Sequence, residues 1–325
     1  MTALARPLAH PLALQAAHRW GLGHAQLQFV AGRENQVYRL SDASGEHALR
    51  IKRPGYRRSV ELESELQWMA ALDQAGLLVP RPLPSRQGRL LETVDGHLVD
   101  LLTWLPGKTL GAALQEQPPP RTDQLFHALG QNMARLHLAS DAWTRPADFT
   151  RVRWDVDGLL GEAPVWGAFW EHPALSTEDR ELFGHFRSIA RQDLLAMQER
   201  LDFGLIHADL VRENVLLHGD RMGLLDFDDG GWGYRVFDLA TTLLKFVDSP
   251  DYPLLQDALL RGYRDLRPLD IDALELFLAL RATTYVGWVV PRLGEDGARE
   301  RSQRYVATAR EVCRRYLSSR AGAGR

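Results

Sequence analysis

Between Leu205 and Asp229 the chain reads LIHADLVRENVLLHGDRMGLLDFDD, with carboxylates and one amide set among short apolar runs. The part NVLLHGDRMGLLDFD is an apolar run, a turn at Gly219-Asp220 and a second apolar run, the pattern of a β-hairpin. Closing it brings Asp226 back towards Asn214. A two-residue turn at Gly219-Asp220 would pair Asn214 with Leu225. A three-residue turn, Gly219 to Arg221, would set Asn214 opposite Asp226 with Cα atoms roughly 4.5–5.5 Å apart, and this is the favoured reading. In either register an amide oxygen and a carboxylate reach the same end of the hairpin. Such hard oxygen donors suit Mg²⁺, which keeps several waters and takes few protein ligands. Asp209 lies five residues before Asn214, in the loop entering the first strand. It is placed to orient a hydroxyl and accept its proton without having to bind metal. His207 is expected to hold the loop's shape. Asp238 is expected to cap N–H groups at a helix start and brace a loop. Asx residues also cap turns singly; three at this spacing read as a site. Asp228 and Asp229 extend the acidic end, where they would share a second metal or meet a cationic substrate.

Strand patterns occupy Gln26 to Lys52, with two β-rich runs around the turn DASGE. A helix follows from Ser59, with Val60, Leu62, Leu66, Met69 and Leu72 near helical spacing and Gly76 as its stop. Two more strands lie in the Pro- and Gly-rich stretch up to Pro106-Gly107. Beyond it helices dominate. One starts at Thr122 or Asp123, another has a Ser/Thr-x-x-Asp/Glu start at Ser176, and four more follow Asp229. Residues 141–180 read as an irregular excursion with a short helix, and the tail SSRAGAGR as disordered. The fold class is α+β. A small β-rich N-terminal lobe, residues 1–104, is joined to a larger, mainly helical lobe, residues 105–325.

The chain has 325 residues, 45% apolar and 25% charged, with a net charge of -3. That balance suits an ordinary globular protein and argues against nucleic-acid binding by bulk charge. The single cysteine, Cys313, excludes an internal disulfide and a thiolate metal cluster. No apolar run reaches the roughly 18 residues of a membrane span, and the N-terminal stretch is broken by Pro7, His10 and Pro11. A cytoplasmic protein with no membrane partner is expected.

HADLVRENVLL fits the H-x-D-x-x-x-x-N catalytic loop of the protein-kinase-like fold, and LLDFD fits the strand that follows it. With GYRVFDLATTLL shortly after, the chain resembles the aminoglycoside phosphotransferase and choline kinase family, near its stress-response kinase and homoserine kinase-like branch. The resemblance implies a two-lobed protein-kinase-like fold and an ATP- and Mg²⁺-dependent transfer of the γ-phosphate to a hydroxyl. The acceptor would be a small molecule such as an amino alcohol, a sugar or a related metabolite. Asp209 would be the base, and Asn214 and Asp226 the metal ligands. Arg50 stands where these kinases carry a lysine for the phosphates, with Lys52 as the alternative two residues on. Glu65 matches the carboxylate that pairs with this cation, and Glu61 lies one turn earlier. The phosphate loop would be VAGRENQVY, with Gly32 and with Asn35 folding the turn. Backbone groups at Thr103, Trp104 and Leu105 would face adenine.

Arg281, Tyr285 and Trp288 recur at helical spacing and share a face. An arginine within an apolar stretch needs an anionic partner, and Asp228, Asp229 or a substrate carboxylate would serve. With Trp232 these residues are candidates for the acceptor pocket; Trp154, Trp166 and Trp170 would wall it or pack in the core. Other readings are a protein Ser/Thr kinase of the stress-response type, a metal-dependent phosphohydrolase using His207, Asp209 and Asp226, and a catalytically weak nucleotide-binding regulator.

Overall fold

The structure, a computed structural model, describes residues 6–32, 35–116 and 121–323. Two compact units are formed. The first takes the described residues of Met1–Ala113 with Ala142–Arg151 and Glu213–Asp228; the second takes those of Leu114–Asp141, Val152–Arg212 and Asp229–Arg325.

In the first unit, helix α1 (Arg6–Ala17) precedes strands β1 (Gln26–Gly32), β2 (Asn35–Asp42) and β3 (Gly45–Lys52). Helix α2 (Ser59–Gln74), then β4 (Leu91–Val94), β5 (His97–Thr103), the short β6 (Lys108–Thr109) and the single turn α3 (Leu110–Ala113) follow. The five longer strands form one antiparallel sheet in the order β1-β2-β3-β5-β4. Alternation decides its faces. Tyr38, Leu40, Leu49, Ile51, Val99 and Leu101 share a core cluster with Leu12, Ala13, Ala16 and Ala17 of α1. The residues between them, Arg50, Lys52 and Asp100, are thereby turned to the other face, and they too are buried. α1 is an addition to the sequence reading, which found only an interrupted apolar stretch there.

In the second unit, α4 (Thr122–Ala142) leads into β7 (Arg153–Trp154), α5 (Val156–Leu160), α6 (Thr177–Met197) and β8 (Phe203–Ile206). The chain then enters the hairpin of the first unit, β9 (Val215–His218) and β10 (Arg221–Leu224), and returns through β11 (Gly231–Tyr234) to α7 (Arg235–Leu243), α8 (Tyr252–Arg264), α9 (Leu274–Val289) and α10 (Ala298–Ala323). β11 pairs parallel with β7 and antiparallel with β8. α9 is apolar nearly all round and almost wholly buried, as a central helix must be. α6 starts where its sequence indicates: Ser176 accepts from the Asp179 N–H at 3.1 Å. The expected disordered tail is corrected, because α10 continues to Ala323 and holds Arg310 against Asp179 and Arg320 against Asp193.

The register of the β9–β10 hairpin is also corrected. His218 pairs with Arg221 and Val215 with Leu224, and the Leu225 N–H donates to the Asn214 carbonyl at 2.8 Å. The turn therefore has two residues, and Asn214 faces Leu225, not Asp226. Gly219 is left-handed, with φ 58°, and Asp220 is not. That is the signature of a type II′ turn, whose twist matches the flanking strands. A Cβ at Gly219 would meet no atom within 4 Å. The Gly219→Ala change therefore costs only its left-handed conformation, and urea unfolding should show a loss of about 1–2 kcal/mol.

Candidate functional site

Two groups of chemistry-bearing side chains are built, one in each unit. The first grows from sheet register. Arg50 lies directly across from Asp100 on β5, and Lys52 across from Asn35 on β2. The Arg50 guanidinium donates to Asp100 through Nε at 2.7 Å and Nη2 at 3.1 Å, and its Nη1 lies 2.8 Å from Glu65 Oε1 on α2. Lys52 Nζ sits 3.2 Å from Asp100, 3.4 Å from Asp228 and 3.8 Å from Glu65. Asp228 also accepts from the Asn35 amide. Arg151 closes the group, with Nη1 3.6 Å from Glu65 and Nη2 donating to the carbonyls of Phe227 and Asp228 at 2.8 Å each.

Three cations and three carboxylates thus neutralise one another inside the unit. Burial alone would push the Asp228 carboxyl up, but Lys52, Arg50 and Arg151 hold it well below the usual carboxylate range. Burial would discharge Lys52, and Arg50 acts in the same direction, yet Asp100, Asp228 and Glu65 keep it protonated. Arg50 and Lys52 therefore share one carboxylate group. Glu65 is inside it, while Glu61 caps the start of α2 against Arg58. Asp228 belongs here, with the two cations, and is not the partner of Arg281.

Asn214 and Asp226 stand at the open end of the hairpin. Asn214 is half-buried and Asp226 exposed, with φ 63°. An amide oxygen and a carboxylate are hard donors that fit Mg²⁺. Among the described residues no group of three or more His, Cys, Asp or Glu side chains is poised on a metal; a cation here would take its remaining ligands from phosphate and water. Gly32 ends β1 opposite Gln36, while Arg33 and Glu34 of the expected phosphate loop lie outside the described residues. At the expected adenine contact, Thr103 N–H donates to the Arg81 carbonyl at 2.9 Å and Trp104 N–H to that of Glu46 at 3.2 Å. The Trp104 ring is covered by Arg39, 4.9 Å from its centroid. Leu105 follows directly.

The second group surrounds Asp209. Ala208 is left-handed, at φ 64°, a conformation that costs an alanine roughly 1–2 kcal/mol. Asp238, fully buried at the start of α7, holds it: Oδ2 accepts from His207 N–H at 2.9 Å and Oδ1 from Ala208 N–H at 2.7 Å. His207 Nδ1 then accepts from Asp209 N–H at 3.3 Å. The expected braces are in place. Behind Asp238, His137 on α4 bridges to Tyr263, with its ring nitrogens 3.0 and 2.8 Å from Asp238 Oδ2 and the tyrosine oxygen. Arg281 points its Nη2 at Asp209 Oδ1, 2.6 Å away, and at Tyr285 Oη, 3.0 Å away. Its partner is therefore Asp209, with Asp229 acting on it at longer range. Asp229 accepts from Trp166 Nε1 at 3.2 Å, and its carbonyl from Trp154 Nε1 at 2.9 Å. Trp288 lies beside Trp166 and Tyr305. Trp170 is apart, under Arg187, and Trp232 is tied into the β7–β11–β8 sheet.

A β-sheet unit carrying a buried lysine-arginine-glutamate group, with a helical unit carrying a braced H-x-D loop, defines a kinase-type phosphotransferase. The comparisons agree. The sequence profile of the phosphotransferase enzyme family matches residues 26–276, and the chain belongs to that family. It is 30% identical to the homoserine kinase of Neisseria meningitidis over 275 residues, covering 81% of each chain. It is 28% identical to the amicoumacin kinase of Bacillus subtilis over 242 residues, 74% of this chain and 68% of that one. The structure of a microcompartment-associated aminopropanol kinase superposes with a TM-score of 0.83 at 29% identity, over 95% of this chain and 98% of that one. No helix among the described residues is long and apolar enough to cross a membrane.

Sequence reasoning missed Asp100, Arg151 and His137. Asp100 did carry a signal, a lone carboxylate inside the apolar run HLVDLLTWL. Arg151 and His137 carried none.

Two measurements follow. Asp100→Ala removes the carboxylate nearest both Arg50 and Lys52 and leaves three buried cations with two carboxylates, and unfolding should show a loss of about 3–5 kcal/mol. Burial, with Arg235 nearby, pushes His137 down to about 4, against the pull of Asp238. The unfolded chain then binds a proton that the folded chain refuses. Stability should be full above roughly pH 6.5 and fall by about 3 kcal/mol as pH drops towards 4. His137→Asn should remove that part of the pH dependence in thermal unfolding.

Proposed function

We propose that this kinase transfers the γ-phosphate of ATP to the hydroxyl of a small amino alcohol or hydroxyl-bearing amino acid. The observation that carries the reading is the Asp209 carboxylate, partly exposed on a loop whose backbone is fixed by Asp238 and His207. So held, it can accept a hydroxyl proton as the oxygen attacks phosphorus. Asn214 and Asp226 would hold Mg²⁺, which when bound neutralises charge on the phosphates. Arg50 and Lys52 supply the cation for the phosphates, and Glu65 and Asp100 keep both aimed. The Leu105 segment receives adenine. Asp229, Tyr285 and Trp288 line the acceptor side. Catalysis on this plan is positioning and charge neutralisation. The kinases that the chain resembles are named for homoserine, aminopropanol and amicoumacin, and a separate solved structure of an amicoumacin kinase, 22% identical to this chain, holds AMP-PNP with Ca²⁺. They support a small-molecule acceptor over a protein one.

The test combines a thermal-shift titration with ATP and Mg²⁺ and a transfer assay offering L-homoserine, 1-amino-2-propanol and other amino alcohols. Nucleotide should raise the melting temperature only with a divalent cation, and one acceptor class should be phosphorylated. Asp209→Asn should lower kcat roughly 10²–10⁴-fold while leaving nucleotide stabilisation in place. A chain that ATP and Mg²⁺ do not stabilise would sink the reading, and an Asp209→Asn variant with unchanged turnover would remove Asp209 from its role.

A further inference from the structure

Arg281 is the least economical residue of the helical unit. It sits in the middle of α9 with no exposed surface, among Leu278, Ala279, Ala282 and Thr283. Desolvating a guanidinium is costly unless every donor is matched. Here only Nη2 has acceptors, Asp209 Oδ1 and Tyr285 Oη; Nε and Nη1 have none. The plane is boxed by aromatic rings instead, with Cζ 4.5 Å from the Trp166 centroid, 4.3 Å from Tyr285 and 5.6 Å from Phe237. The cation nevertheless stays charged: burial opposes it, but Tyr285, Asp209 and Asp229 outweigh that. An apolar residue at this place would pack against the same rings at lower cost. A buried ion pair is weak evidence for stability, so the arrangement points to what it does for its partner.

That partner keeps part of its surface. The Asp209 side chain is 21% exposed, against none for Arg281. One carboxylate oxygen is thus pinned from behind by a group that solvent does not reach. The pin is itself aimed, because the same Nη2 is shared with Tyr285 one turn along α9, and Tyr285 stacks on Tyr305 of α10 at 4.9 Å. A guanidinium clamped between rings has one orientation; a lysine ammonium would have many.

We infer that Arg281 is a positioning residue for Asp209, fixing the rotation of its carboxylate so that the oxygen not bound to Arg281 meets the acceptor hydroxyl, with Trp166 and Tyr285 as the clamp that aims the guanidinium. This rests on Asp209 being the base. Arg281 touches no substrate in this scheme and holds no proton of the reaction.

The test uses the intact chain with Arg281→Ala, Arg281→Lys, Tyr285→Phe and Asp209→Asn. ATP turnover is followed with L-homoserine, 1-amino-2-propanol and water as acceptors. Loss of a fixed carboxylate of this kind should lower kcat about 10²-fold in Arg281→Ala, with KM for ATP within about threefold of the parent. Added guanidinium chloride at low concentration should restore at least about tenfold of that loss, and should do nothing for Asp209→Asn. Arg281→Lys keeps the charge without the planar fork and should remain impaired in kcat. Tyr285→Phe keeps the ring and removes one tether, and should lose a few-fold in kcat with KM for ATP unchanged. If Arg281→Ala does not fold, the Lys and Phe variants decide, and full turnover in both overturns the proposal. So does a folded Arg281→Ala with unchanged kcat, with an effect confined to KM for ATP, or with no response to guanidinium. If instead Asp209→Asn turns over like the parent, the base assignment fails, a result separable from normal turnover in the Arg281 variants alone.

Discussion

One buried carboxylate, Asp238, decides the shape of the loop that carries Asp209. Its two oxygens take two consecutive backbone N–H groups, those of His207 and Ala208. Two N–H groups point to one side chain only when the chain between them bends sharply, and here the bend puts an alanine in the left-handed region. Without the carboxylate the loop would relax to an ordinary conformation. The rest of the helical unit can be understood as support for Asp238. α7 offers it from its first turn, where helix N–H groups favour negative charge. His137 and Tyr263 meet its far side, and the buried Arg235 fastens the preceding strand through the Leu205 carbonyl and Asp141. Thr242 on α7 takes the Leu210 carbonyl just beyond Asp209. The strain is local, and its restraints come from three helices.

The sheet unit solves a related problem differently. It must keep cations with a long reach ready inside protein, where an unmatched charge is expensive. Its answer is to surround them with carboxylates from three directions: Asp100 from the neighbouring strand, Glu65 from α2, and Asp228 from the end of the hairpin segment. Arg50 is held by fork geometry at short range, and Lys52 only by looser contacts. Arginine and lysine are not interchangeable in such a group. The fork suits a fixed strut, and the ammonium suits a group that can be redirected.

Much of this could be read from the sequence, and the failures have physical causes. Strand alternation at Leu49-Arg50-Ile51-Lys52 puts Arg50 and Lys52 on one face, because that periodicity is local, while Glu65 on α2 is matched to them only through the family resemblance. Asp100 was passed over because its partner lies 50 residues away and only the β3–β5 register brings them together. Arg281 was recognised as needing an anion, but the choice among nearby carboxylates depends on tertiary placement, and Asp209 took it. His137 looked like an unremarkable residue on an amphipathic helix; its role exists only because α4 and α7 meet. The register of the β9–β10 hairpin was misjudged at the turn, where the backbone angle of a single glycine separates two pairings that the apolar pattern alone fits equally well.

The observed register also decides how the carboxylate after the hairpin is aimed. Side chains alternate sides along a strand, and Asn214 lies opposite Leu225, so in a regular strand the next residue, Asp226, would turn away from the asparagine. Its left-handed backbone, with φ 63°, ends the alternation at that point. The direction of Asp226 is thus set by one backbone angle and not by strand pairing, and residues added at Gly219-Asp220 would lengthen the loop without turning either donor over.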